Sequence, residues 1–86
     1  MSNKLFLARY GDHEHINKAL NDEDTEVRRE AIKNPNATHE HINKALDDEH
    51  WNVRASAISH NNATHEHINK ALNDEDRSVR KLLKID

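Results

Sequence analysis

The chain contains no cysteine. That excludes disulfides, thiolate nucleophiles and zinc sites built on thiolates, and it fits a reducing compartment. Its single glycine, Gly11, rules out both common Gly-rich phosphate-binding motifs. Aromatic side chains are almost missing, with one Phe, one Trp and one Tyr. No stretch approaches the roughly 20 apolar residues of a membrane span. The run Leu5-Phe6-Leu7-Ala8 is too short for the apolar core of a signal peptide. The expected location is therefore the cytoplasm, with no membrane contact. No strong charge of either sign is present: the formal charge is −3, with eight His counted neutral. Protonating those His would carry the net charge through zero in mild acid. The mildly acidic balance at neutral pH argues against broad nucleic-acid binding, which needs a basic face.

With 86 residues, the chain holds one small domain. Hydrophobic and charged residues each make up 34%, a composition that by itself leans toward disorder. The order of the residues reverses that reading. The string H-E-H-I-N-K-A-L occurs three times, at His13–Leu20, His39–Leu46 and His65–Leu72, each copy 26 residues after the last. Val27-Arg28, Val53-Arg54 and Val79-Arg80 keep the same spacing, as do Asn36-Ala37-Thr38 and Asn62-Ala63-Thr64. Periods of 20 to 50 residues mark stacked supersecondary units.

Each unit reads as two short helices. The first opens at Asp12, Thr38 or Thr64, whose side-chain oxygens suit an N-cap. Glu14, Glu40 and Glu66 follow in the first turn, where the helix dipole favours negative charge. Ile42, Ala45 and Leu46 fall at i, i+3, i+4 and form one apolar stripe. The second helix opens near Asp24, His50 or Asp76, with Val27, Ala31, Ile32 and Val53, Ala57, Ile58 as its buried stripe. Asn34-Pro35-Asn36 ends it, because a residue before Pro avoids the helical region.

The chain begins mid-unit. Shifted by 26, Leu5 and Phe6 take the places of Ala31 and Ile32, and Gly11-Asp12 replace Ala37-Thr38. The expected fold is all-α: a short α-solenoid with a 26-residue period and about seven helices. Residues 1–11 form an N-terminal capping helix, and 12–37, 38–63 and 64–86 form three repeat units of a single domain. A lone pair cannot bury its stripe, whereas stacked pairs share a continuous core.

The acidic turn followed by V-R resembles the start of the second helix in HEAT repeats. The stretch Asp22 to Thr38, with Asp24, Val27-Arg28, Ala31, Asn34-Pro35 and Ala37-Thr38, is more similar to the leucine-rich repeat variant, another helical-repeat family. The N-P-N-A-T…E-H-I…K-A-L pattern is also similar to small repeat proteins of T-even-type bacteriophages. The resemblance covers nearly the whole chain, and it implies architecture rather than activity. The pattern departs from the family at His39 and His65, where Pro usually follows the Thr, and at Asn61 in place of Pro35.

Candidate functional residues lie on the second helices, where the units differ most: Thr25/Trp51/Arg77, Glu26/Asn52/Ser78, Arg29/Ala55/Lys81, Glu30/Ser56/Leu82 and Lys33/Ser59/Ile85. Positions 26, 29, 30 and 33 share one helical face. With Val27, Ala31 and Ile32 pointing inward, that face is expected to point out. Diversity on a constant frame suits a binding face, and it also suits drift at unconstrained positions. Trp51 is either a hot-spot residue or a cover for the groove between units. The partner-binding set is Trp51, Arg29, Glu26, Lys33, Ala55, Arg77, Lys81, Leu82 and Ile85. Leu82 and Ile85 either leave an apolar C-terminal end, open to self-association or a partner, or are buried by a rotation of the last helix.

The His pairs of H-x-H lie two apart and face different sides of a helix. Equivalent His on adjacent units are about 10 Å apart, the packing distance of helices, so a metal site is not expected. The acidic turns Asp22-Glu23-Asp24, Asp47-Asp48-Glu49 and Asp74-Glu75-Asp76 either face a basic partner or cap helices and pair with Arg28, Arg54 and Arg80. No catalytic constellation is present, and neither enzymatic activity nor a cofactor is expected. The function expected is protein binding, and the phage resemblance extends it to a binder or inhibitor of a host protein in the host cytoplasm. The alternative is nucleic-acid binding by a basic stripe of Arg28, Arg29, Lys33, Arg54, Arg77, Arg80, Lys81 and Lys84.

Overall fold

Helices this short are unstable alone, since isolated helices under about 12–15 residues are marginal in water. Capping and packing together hold them. The computed structural model describes residues 2–83 and contains seven helices among them. They are α1 (Asn3–Tyr10), α2 (His13–Leu20), α3 (Thr25–Ile32), α4 (His39–Leu46), α5 (Trp51–Ile58), α6 (His65–Ala71) and α7 (Arg77–Leu82). The described residues form no strand.

Each expected N-cap is in place. Asp12, Thr38 and Thr64 accept from the backbone N–H of His15, His41 and His67, and those imidazoles accept in return from the backbone N–H of the cap. The N3 position of such a reciprocal box is ordinarily Glu or Gln. Here His fills it, with Nδ1 as acceptor at 3.2, 3.0 and 2.9 Å. Asp24, His50 and Asp76 cap α3, α5 and α7.

The helices form two rows. α1, α3, α5 and α7 pack in sequence, and α2, α4 and α6 pack beside them, with the second-helix row more closely joined. The core runs between the rows. Ile16, Ile32, Ile42, Val53 and Val79 are fully buried, and Ala31, Ala45, Ala57 and Ala71 let the helices approach. Burial of each large aliphatic side chain contributes about 1.5–3 kcal/mol. The molecule extends 39 × 20 × 19 Å, longest by a factor of about two in one direction.

The N-terminal helix departs from the 26-residue register. Phe6 is 52% exposed and Leu5 only half-buried, while Ala8 is buried. The cause is the connection. Five residues, 33–37, separate α3 from the Thr38 cap, whereas Gly11 alone lies between α1 and the Asp12 cap. α1 therefore runs four residues further than the repeat places it, a little over one turn. Gly11 permits the tight passage: a Cβ there would lie 2.3 Å from the Leu7 carbonyl oxygen and 2.5 Å from His15 Cβ.

Candidate functional site

The variable positions of the second helices do not form one uniformly outward face. Ala55 and Glu30 are both buried at 8% exposure, and Arg29 is half-buried. The second helices stand side by side, so a residue bordering the apolar stripe is closed over by the neighbouring helix. Glu30 lies 3.8 Å from Arg9 of α1 and 3.9 Å from Lys33. Ala55 is thus an exception to the expected exposure, and it becomes part of a groove floor.

That groove has a volume of 530 Å³ and crosses the second-helix row. Ile32 and Ala55 lie at its base. Lys33, Pro35, Ser56, Ser59 and the turn His60-Asn61-Asn62 line it, with Arg9 from α1 and Leu82 from α7. Of the nine candidate residues, it brings together Lys33, Ala55 and Leu82. Glu26, Arg77 and Lys81 are exposed outside it, and Arg29 pairs with Glu26 at 3.2 Å. Trp51 stands at the start of α5, 39% exposed and stacked on His50 with ring centroids 6.2 Å apart. Ile85 lies outside the described residues.

The turn forming one wall is held by bonds that cross the unit junction. Asn34 donates from Nδ2 to the carbonyls of Ala8 (3.0 Å) and Gly11 (2.9 Å). At the equivalent position His60 donates from Nε2 to the Asn34 carbonyl at 2.8 Å, while its Nδ1 accepts from Asn62 N–H. Asn62 donates from Nδ2 to Ala37 O. Asn34 reads in the sequence only as a turn residue, and His60 lies 26 residues after it. Their shared repeat position was the signal for the ladder.

A second ladder lies beneath the acidic turns. Arg28 donates from Nε and Nη2 to the Asp48 carboxylate at 2.8 and 3.3 Å, and Arg54 to Asp74 at 2.8 and 3.1 Å. These side chains are 9% and 8% exposed. Each Asp also accepts a backbone N–H, from His50 or Asp76. Burial pushes the Asp74 carboxyl up, but the bonds from Arg54 and Asp76 N–H and the charges of Arg54 and Arg80 outweigh it and hold the group below its ordinary value. The hydrogen bond and charge of Asp74, against the opposing effect of burial, raise Arg54 in turn. Both arginines are therefore spent within the fold and leave the basic stripe without two of its members. Lys84 of that stripe lies outside the described residues.

The histidines meet in an arrangement that equal-position spacing did not suggest. His13 packs edge-on to His41 with centroids 4.4 Å apart, and His39 to His67 at 5.5 Å. The first His of one unit thus touches the second His of the next. Among the described residues no group of three or more His, Asp and Glu side chains is placed to hold a metal ion. His41 and His67 are 1% and 3% exposed. Because His41 Nδ1 accepts the Thr38 N–H, the neutral ring carries its proton on Nε2, which is buried without a hydrogen-bond partner among the described residues. Burial, and then the neighbouring His13 or His39, push both imidazoles below the ordinary His value.

No described helix is long and apolar enough to cross a membrane. No family model, curated protein sequence or solved structure matches the chain.

Proposed function

We propose that the chain is a HEAT-like helical-repeat module, a short α-solenoid, that binds another protein along the second-helix row. The groove carries this reading. Its volume of 530 Å³ suits a peptide segment or a protruding loop, and its floor of Ile32 and Ala55 is apolar. Ser56, Ser59 and Asn62 offer hydrogen bonds around that floor. Its walls use positions at which the units differ, whereas the nearly identical first helices supply the frame. Cytoplasmic action as a phage-encoded binder or inhibitor of a host protein rests on the resemblance in sequence.

The test is affinity capture from bacterial lysate with the immobilised chain, followed by mass spectrometry. The control bait carries Ser56→Arg and Ser59→Arg, which fill the groove from half-buried and exposed positions. One dominant protein retained by the native bait and lost from the control is expected. Equal recovery on both baits, or recovery of nucleic acid in place of protein, would remove the reading. A second control, Trp51→Ala with Arg29→Ala, measures how far the interface extends beyond the groove.

A further inference from the structure

We infer that the groove takes an acidic peptide, one with an Asp or Glu carboxylate beside a small aliphatic side chain, a selectivity that rests on the reading of the groove as a protein-binding surface.

The chain is net acidic, with 16 Asp and Glu against 13 Lys and Arg. The groove departs from that balance. Among the described residues that line it, no carboxylate is present, and Arg9 and Lys33 are both cations. His60 adds no charge: its Nε2 donates to Asn34 O while its Nδ1 accepts from Asn62 N–H, the pattern of the neutral ring. The acid within reach of both cations is Glu30, whose carboxylate lies 3.8 Å from Arg9 Nη1 and 3.9 Å from Lys33 Nζ. Both separations exceed the length of a hydrogen bond. Glu30 thus offsets part of the positive charge without taking up the donors. Arg9 Nε is buried and has no hydrogen-bond partner among the described residues. An unpaired guanidinium donor is what a carboxylate satisfies. The Arg9 and Lys33 side chains are 35% and 41% exposed, so an incoming group reaches both.

The surroundings narrow the choice. Pro35, two residues from Lys33, is exposed, and Ala55 lies at the base of the groove, which gives apolar surface next to the charged end. Ser56 and Asn61 supply neutral polar groups for a peptide backbone. A phosphodiester chain is a poorer match. It needs a row of cations along its length, whereas here two cations gather on one carboxylate, and Arg28 and Arg54 are held by Asp48 and Asp74. The charged end belongs to α1 and the last turn of α3, and α5 stands between it and α7.

A bead-bound library of random synthetic dodecapeptides, probed with the labelled chain, tests the selectivity. The chain with Ser59→Trp, a neutral filling of the groove from an exposed position, is run in parallel and identifies peptides that bind elsewhere. Peptides that need the groove are expected to be enriched in Asp and Glu over the library. Lys33→Glu, a charge reversal at an exposed position, should abolish that enrichment. For one selected peptide, fluorescence anisotropy should show Lys33→Gln weakening the dissociation constant about fivefold, the effect of one partly exposed ion pair. Raised salt should weaken binding to the native chain as well. Circular dichroism checks that each variant keeps its helices. Groove-dependent peptides with no excess of acidic residues, or an affinity that Lys33→Gln leaves unchanged, would overturn the inference and leave the groove a binding surface of other chemistry. A fluorescent single-stranded oligonucleotide that displaces the peptide would give the site to nucleic acid and overturn it too. Equal binding to the Ser59→Trp chain, or no selected peptide at all, would overturn both the selectivity and the groove itself.

Discussion

At the scale of single residues, the two buried imidazoles make stability depend on pH. His41 faces His13 of α2, with Glu40 and Lys44 on its own helix; His67 faces His39, Glu66 and Lys70 in the same way. Their folded values lie below the ordinary 6.5, so the unfolded chain takes up protons first as pH falls. Their contribution to stability is fully present above that value. It is lost as pH falls through 6.5 toward the folded value, below which the loss levels off. Protonation would also place a proton on Nδ1, where the Thr38 N–H already points. His41→Gln keeps an acceptor in the capping box but cannot titrate. Denaturant midpoints at pH 7.5 and 5.5 should differ in the variant by about half as much as in the native chain, since His41 and His67 share the effect. An undiminished difference would place the pH dependence elsewhere. The H-x-H strings were conspicuous in the sequence. Their cross-unit pairing was not, because it joins positions 28 residues apart, two more than the period.

At the scale of elements, what was legible was local. Caps, helix starts and apolar stripes are written in short-range patterns, and Asp12, Thr38, Asp24 and Asp76 occupy their expected places. The register of α1 was not legible from the period. The shortened link at Gly11 shifts the helix by about one turn, so Ala8, not Phe6, reaches the core. The outward face was half legible for a similar reason: helical periodicity gives the direction of residue 30, but the spacing of α1 and α3 decides that Glu30 is covered. The ion-pair ladder joins one unit's second helix to the next unit's turn, and it is the polar seam of each junction. Removing one partner of a buried pair leaves an uncompensated charge and costs about 3–5 kcal/mol. Asp48→Ala should therefore lower the unfolding free energy by about that amount, since it strands Arg28 and removes the acceptor for His50 N–H. A chemical-denaturation shift below about 1 kcal/mol would mean that solvent replaces the carboxylate.

At the scale of the whole molecule, near-identical first helices build a frame and divergent second helices shape its surface. The frame's junctions are each sealed by an aliphatic contact, an imidazole pair and an arginine–carboxylate grip. The described chain completes two of them. The groove lies across the second-helix row. The central claim, that the groove is the protein-binding surface, is tested most directly by site-specific photo-crosslinking in lysate. The probe replaces Ser59, within the groove, or Asn43, exposed on the first-helix row. The account predicts one discrete crosslinked protein from position 59 and none from position 43. The same adduct from both positions, or an adduct from position 43 alone, would contradict it.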